Sequence, residues 1–219
     1  MTREELIKRV ALKMDEISSS DDVIVPVGTG DNNPLYTQIN NLLNESVNDV
    51  LMKAPIYRIQ SQIETASAFT VEERFSKPNK RIVAVFVLPE DFIRIVSISD
   101  DYFQRPIVDL AVEGDDTDKR QHNKFLVAKA AKPVAVLGRG SNGRTITCYS
   151  YDVDEDTTPN PSLQYIKRYD NDRDTSAETD LDGYMIDLVS WVCAGKVFAA
   201  QGDTTKGKIC DENASALMI

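Results

Sequence analysis

Gly138-Arg139-Gly140-Ser141-Asn142-Gly143 spells G-x-G-x-x-G directly after an apolar run, Val134 to Leu137. In a dinucleotide site such glycines let the backbone approach a pyrophosphate, which rests on the N-terminus of a helix opening at the third glycine. The residues after Gly143 are instead Arg144-Thr145-Ile146-Thr147-Cys148-Tyr149-Ser150-Tyr151, whose alternation is that of a strand. Without a helix N-terminus a phosphate has no dipole to rest on, so the spacing predicts a glycine-rich hairpin loop and no nucleotide affinity. Asp152-Val153-Asp154-Glu155-Asp156 and Asp170-Asn171-Asp172-Arg173-Asp174 both open like calcium loops. That loop also needs glycine at its sixth position and a bidentate glutamate at its twelfth. Thr157 and Leu163 stand there in the first run, Thr175 and Leu181 in the second, and both runs read as solvated acidic loops.

The remaining reactive side chains are scattered. His122 is the only histidine, in a polar stretch with no Ser or Cys signature beside it to build a triad. Glu90 and Asp91 could serve as acid and base only if the fold gave them different environments. Adjacent in a strand-ending turn, they read as acceptors of backbone N–H groups. Cys148, Cys193 and Cys210 are isolated and form no C-x-x-C, which points to buried thiols rather than to zinc or a disulfide framework. No active site, cofactor or metal is expected, and the chain does not read as an enzyme.

The elements that would position these residues change character twice along the chain. Thr2 and Glu5 form a capping box for a helix with Leu6, Ile7, Val10, Ala11, Met14 and Ile17 on one face, ended by Ser18 to Asp22. A loop from Val23 to Asn33 leads to Pro34, which suits the first turn of a second helix. Its apolar face is Leu35, Ile39, Leu42, Leu43, Val47, Val50 and Leu51, and Pro55 closes it. From Ile56 to about Tyr169 the apolar runs turn short and β-branched. The pattern predicts strands near 56–63, 68–75, 81–88, 92–99, 105–111, 124–129, 133–137, 144–151 and 163–169, with 113–123 and 152–162 as exposed loops. Helix returns after Asp180 as N-cap, with Leu181, Tyr184, Met185, Leu188, Val192 and Gly195 on one face of the most apolar helix in the chain. Gly202 and Asp203 break it, and a weaker pattern from Thr204 to Met218 carries Gly207 and few apolar residues. The fold class expected is α+β: a helical bundle formed by the N- and C-terminal helices around a central antiparallel β region. As domains, 1–55 plus 176–219 make the bundle and 56–175 the β-rich insertion.

Net charge is −10. A protein that held nucleic acid by neutralising phosphates would show a basic balance or stripe, and Lys77, Lys80 and Arg81 are too few to supply one. No stretch approaches the ~20 apolar residues that span a bilayer, and the acids at Glu4 and Glu5 do not suit a signal peptide. Synthesis in a cytoplasm is expected.

The apolar run Ile82 to Leu88 ends at Pro89, followed by Glu90-Asp91-Phe92-Ile93-Arg94 and then Tyr102-Phe103-Gln104-Arg105-Pro106-Ile107. Pro89 cannot donate to a sheet ladder, so two adjacent strands around a tight turn are expected. This leucine-proline-acid-acid-aromatic-x-arginine corner, with the aromatic-x-arginine-proline hairpin after it, resembles the head-to-tail adaptor proteins of short-tailed bacteriophages. The paired N-terminal helices and the helix around Trp191 fit the same plan, while the acidic middle from Glu113 to Asp174 departs from it. The resemblance implies a structural virion protein. About twelve copies would form a ring below the portal, continue the DNA channel through which the genome passes at ejection without specific binding, and attach the tail. Portal protein and tail or ring proteins would be its partners, and the head-tail junction of a virion assembled in the host cytoplasm its place. No membrane and no cofactor are implied.

Trp191, Phe198, Ile209, Leu217 and Met218 are the candidate interface residues, with core packing the competing reading for Trp191. Residues 203–219 are expected to be mobile in the free subunit and fixed on assembly, so that truncation after Gln201 would leave the fold nearly intact. The alternative function is a calcium- or carbohydrate-binding β module of a tail or surface assembly. It would need exposed aromatics beside the acidic loops, and Tyr149, Tyr151, Tyr165 and Tyr169 lie near them in sequence.

Overall fold

A computed structural model of the protein describes residues 1–17, 34–74, 81–123, 125–141, 143–151, 158–170, 176 and 178–218. In chain order the elements are α1 (Arg3–Ile17), α2 (Pro34–Lys53), 3-10 turns at Ile56–Arg58 and Gln60–Gln62, β1 (Ile63–Ala66), β2 (Thr70–Arg74), β3 (Arg81–Val87), β4 (Phe92–Ser99) and β5 (Leu110–Val112). Then come α3 (Asp116–Gln121), β6 (Ala135–Gly140), β7 (Gly143–Tyr151), β8 (Ser162–Lys167), α4 (Gly183–Ala200) and α5 (Thr204–Leu217). The fold is mixed α+β, with five α-helices and two sheets among the described residues. It divides into two compact units, Met1–Gln62 with Arg168–Ile219, and Ile63–Lys167.

In the first unit, Thr2 and Glu5 cap α1 reciprocally: the Thr2 N–H donates to Glu5 Oε2 at 2.9 Å and the Glu5 N–H to Thr2 Oγ1 at 3.2 Å. The stripes Leu6, Val10, Met14 of α1 and Ile39, Leu43, Val47, Val50 of α2 are fully buried. α4 contacts α1, α2 and α5, so apolar residues are buried around most of its circumference, Met185, Leu188, Val189 and Val197 among them. By length and composition it could cross a membrane, yet this packing already buries most of its apolar side chains. Its N-cap is Asp182, which accepts the Met185 N–H at 2.8 Å, not Asp180, whose carbonyl instead accepts from Gln62 Nε2 at 2.9 Å.

The C-terminal segment differs from expectation. α5 lies along α4 through Gly207, buried against the backbone of Gly195. Gly207, read in the sequence as an interruption, is instead a close contact between the two helices, where small size substitutes for apolar area. The expected strand at 56–63 is replaced by the two 3-10 turns, with Ile59 fully buried. The unit boundaries therefore fall at 62/63 and 167/168 rather than at 55/56 and 175/176.

The second unit holds a three-stranded sheet, β1-β8-β4, and a five-stranded sheet, β2-β3-β7-β6-β5. All neighbours are antiparallel except β5 and β6. Ala84, Phe86, Ile146 and Cys148 of the larger sheet form one buried cluster with Phe92, Ile98, Leu163 and Tyr165 of the smaller, so the two sheets face each other across a common core. Val83 and Val85 point the other way, into a second cluster with Val127, Val136 and Tyr149. Cover on both faces is why β3 reads as one continuous apolar run.

The Leu88–Phe92 corner carries the chain between sheets: β3 and β4 are consecutive but not paired. The Phe92 N–H reaches back to the Pro89 carbonyl at 3.1 Å. Ile98 and Ile107 exchange both backbone bonds, at 2.8 and 2.9 Å, as an isolated bridge. The expected strand at 124–129 is absent among its described residues, where only Lys129 pairs, with Lys132. The stretches 18–33, 75–80, 152–157 and 171–175, which include most of both calcium-like runs and Lys77 and Lys80, lie outside the described residues.

Candidate functional site

The outer face of the five-stranded sheet carries a groove of about 340 Å³ in which His122, Tyr149 and the glycine motif from Gly138 to Ser141 meet. Valines 85, 87 and 136 and threonines 145 and 147 form its floor, with Glu72, Glu113, Asp118, His122 and Arg139 around it. α3 supplies the His–Asp pair. Its N-cap Asp115 accepts the Asp118 N–H at 2.7 Å and the Val112 N–H at 3.0 Å, and these bonds, the Asp118 one foremost, hold its carboxyl below the usual carboxylate range. Asp118 lies 3.3 Å from His122 Nε2 through one oxygen and accepts the Gly114 N–H at 2.8 Å through the other. The pair thereby ties the end of α3 to the turn before it, where Gly114 has a φ of 87°. The imidazole also sits edge-on to Tyr149, ring centres 6.2 Å apart. Both partners are engaged in holding the local fold.

The glycine motif is a hairpin between β6 and β7, with Gly138 opposite Thr145 and Gly140 opposite Gly143. A Cβ at 138 would lie 3.0 Å from Glu113 Oε2, and one at 140 would lie 3.0 Å from Thr145 Cγ2. The Arg139 N–H donates to Glu113 Oε2 at 3.1 Å. A backbone donor of the kind that would meet a phosphate is thus already given to a carboxylate, and the motif leads into a strand where a phosphate site needs a helix. NAD or ATP is expected to leave the melting temperature unchanged in a thermal-shift assay. A shift of several degrees, abolished by Gly140→Val, would overturn this.

Other candidates resolve into structural roles. Tyr165 donates to Asp91 Oδ1 at 3.4 Å, and burial, then Asp91, pushes the phenol up. Asp100, one acid among many in the sequence, is a hub: its carboxylate accepts the Tyr102 N–H at 2.8 Å, the Tyr151 hydroxyl at 2.9 Å and the Asn160 N–H at 2.8 Å. Burial and then Asp100 raise the Tyr151 phenol. Its only signal in the sequence is its place, one residue past the end of β4. Tyr149, Tyr151, Tyr165 and Tyr169 are all buried, so none is an exposed platform for a sugar. The three cysteines are buried, and burial pushes the Cys193 thiol up to about 11 and the Cys210 thiol up to about 12. Among the described residues no group of three His, Cys, Asp or Glu could hold a metal ion.

The interface candidates all lie in the helical unit. Trp191 is half-buried with Lys13 Nζ 4.8 Å over its ring. Phe198 is a correction: it is 1% exposed, with Lys206 5.7 Å from its ring, because α5 covers it, and it has no surface to offer. Ile209 is exposed, while Leu217 and Met218 are half-buried, and the Leu217 carbonyl accepts the Tyr184 hydroxyl at 3.1 Å. In the β unit the most exposed large apolar side chain is Phe125 (80%), followed by Leu126 and Val112 (58% each). Compared with known proteins, the chain matches no family model and no curated sequence.

Proposed function

We propose that the protein is a head-to-tail adaptor, a structural virion component whose copies form a ring below the portal and attach the tail. One observation carries the reading furthest. The helices at both ends of the chain share one unit, with α4 against α1, α2 and α5, and Ile63–Lys167 is a separate β unit inserted between them. In this reading the helices are a bundle that packs against neighbouring subunits and the portal. Leu12, Met52 and Tyr57, each about 60% exposed on the helical unit, supply apolar surface for such neighbours. The net charge of −10 suits a channel that must pass DNA without holding it.

Like charge between copies opposes closure of a ring by the protein alone. Light scattering of the protein alone and with the portal of the same virion tests the proposal. A ring of about twelve copies is expected only in the presence of the portal. A compact dimer in both conditions would count against an adaptor.

A further inference from the structure

The segment from Lys119 to Lys132 reverses the charge of the rest of the chain. It carries five cations, Lys119, Arg120, Lys124, Lys129 and Lys132, and no acid, which leaves 20 of the 25 Lys and Arg to face all 35 Asp and Glu elsewhere. Within it Val127 is buried in the sheet's outer cluster, while Phe125 and Leu126 stand out at 80% and 58% exposure. Two backbone bonds hold the base of this projection: the Leu126 and Val127 N–H groups both donate to the Asn123 carbonyl, at 3.0 and 3.1 Å. The Ala128 N–H is taken by Gln121 Oε1 at 2.9 Å, and Gln121 is itself buried. The result is an apolar tip, Phe125–Leu126, in a stretch of sequence rich in cations, the composition of a binding anchor rather than of a solvated loop.

The groove on the same unit has the complementary character. Its floor presents Val87, an aliphatic side chain 48% exposed, next to Val85, and its rim carries three acids, Glu72, Glu113 and Asp118, against one permanent cation, Arg139. About 340 Å³ falls at the lower end of the range for sites that take a small ligand or a side-chain anchor. The tip of the same copy does not fill it, because Phe125 is mostly exposed.

We propose that the Phe125–Leu126 tip of one copy docks in the groove of a second copy, with Lys129 and Lys132 facing the acidic rim. The occupant is argued from charge: a positive anchor on a strongly negative chain finds its complement on another copy of that chain. This contact stands independently of the adaptor reading, because it fixes which surfaces of two copies meet, whatever the copies build.

Cysteine pairing tests it on the full chain, whose native thiols are buried. Under the same mild oxidant, Phe125→Cys mixed with Val87→Cys should form the mixed disulfide in roughly tenfold excess over Phe125→Cys mixed with Leu12→Cys, a control position more exposed than Val87. In sedimentation equilibrium at about 100 μM, Phe125→Asp should weaken self-association roughly tenfold and leave the melting curve unchanged. Equal yields from both cysteine mixtures would overturn the proposal, as would a wild-type chain that stays monomeric. So would binding of anionic vesicles that depends on Phe125 when no selective disulfide forms, since the tip would then be a lipid anchor. Loss of portal binding with the selective disulfide retained would count against the adaptor and leave this contact standing.

Discussion

Replacing Arg3 with alanine will destabilise the helical unit by about 3–5 kcal/mol. Arg3 is fully buried at the start of α1. Its guanidinium donates to Asn40 Oδ1 at 2.5 Å, Asn44 Oδ1 at 2.7 Å and the Asn40 carbonyl at 2.9 Å. One planar fork thus joins α1 to two successive turns of α2. Hydrogen bonds to a charged group are worth about 1.5–3 kcal/mol each. Truncation also strands the asparagine acceptors and leaves a cavity where a large side chain stood. Lysine is expected to recover only part of the loss, because its three donors radiate from one point and cannot reach acceptors spread along a helix. Trp191, the only tryptophan, lies in α4 of the same unit, so its fluorescence during urea unfolding reads this unit selectively. A loss below about 1 kcal/mol would show that water replaces the guanidinium without penalty.

The second large effect is expected at Gly195, where α5 packs closely on α4. A Cβ there would stand 3.2 Å from Asp211 Oδ1 and 3.3 Å from Cys210 Cβ. At 207 the nearest atom would be the Gly195 carbonyl oxygen at 3.4 Å, an ordinary contact. Alanine gains about 1 kcal/mol over glycine in a helix interior, so Gly207→Ala should be stabilising. Gly195→Ala should be near neutral, its propensity gain offset by the crowding. Gly195→Leu should cost about 3 kcal/mol by forcing the helices apart. It should also abolish the hydrogen-exchange protection of α5. Protection of α5 that survives Gly195→Leu would show that other contacts hold the helix. Removing residues after Gln201 would uncover Phe198, so truncation is not the neutral change that the sequence pattern suggested.

How much was legible depended on whether a residue's role lay in its own neighbourhood. The faces of α1 and α2 follow from helical spacing, and the capping box at Thr2 and Glu5 forms with both its bonds. The strand after Gly143 was readable from alternation, and with it the hairpin in place of a phosphate loop. Gly207 was misread because propensity counts what a glycine loses in an isolated helix and cannot see the helix that it meets. The corner at Pro89 was recognisable as a turn, but whether it joins neighbouring strands or two sheets depends on pairing far along the chain. Phe125-Leu126-Val127-Ala128 looked like a strand because it is apolar, although only Val127 is buried. The five cations around it are spread over 14 residues, so the basic cluster singled out in the sequence was Lys77, Lys80 and Arg81 instead. Asp100 gave no local sign of its three donors, two of which come from residues more than 50 positions away.

The pairing of β1 with β8 places Ile63 opposite Ile166, at the two points where the chain enters and leaves the inserted unit. A ribosome delivers α1 and α2 first and the helix that buries them, α4, only after the whole insertion. Closing a flexible loop of that size costs entropy that grows with the logarithm of its length. Once β1 and β8 have zipped together, the stretch between them no longer counts as slack, and α4 meets α1 and α2 as though only a short linker intervened. The β1–β8 ladder is in this sense a clasp: early pairing of these two strands would shorten the loop that α4 has to close.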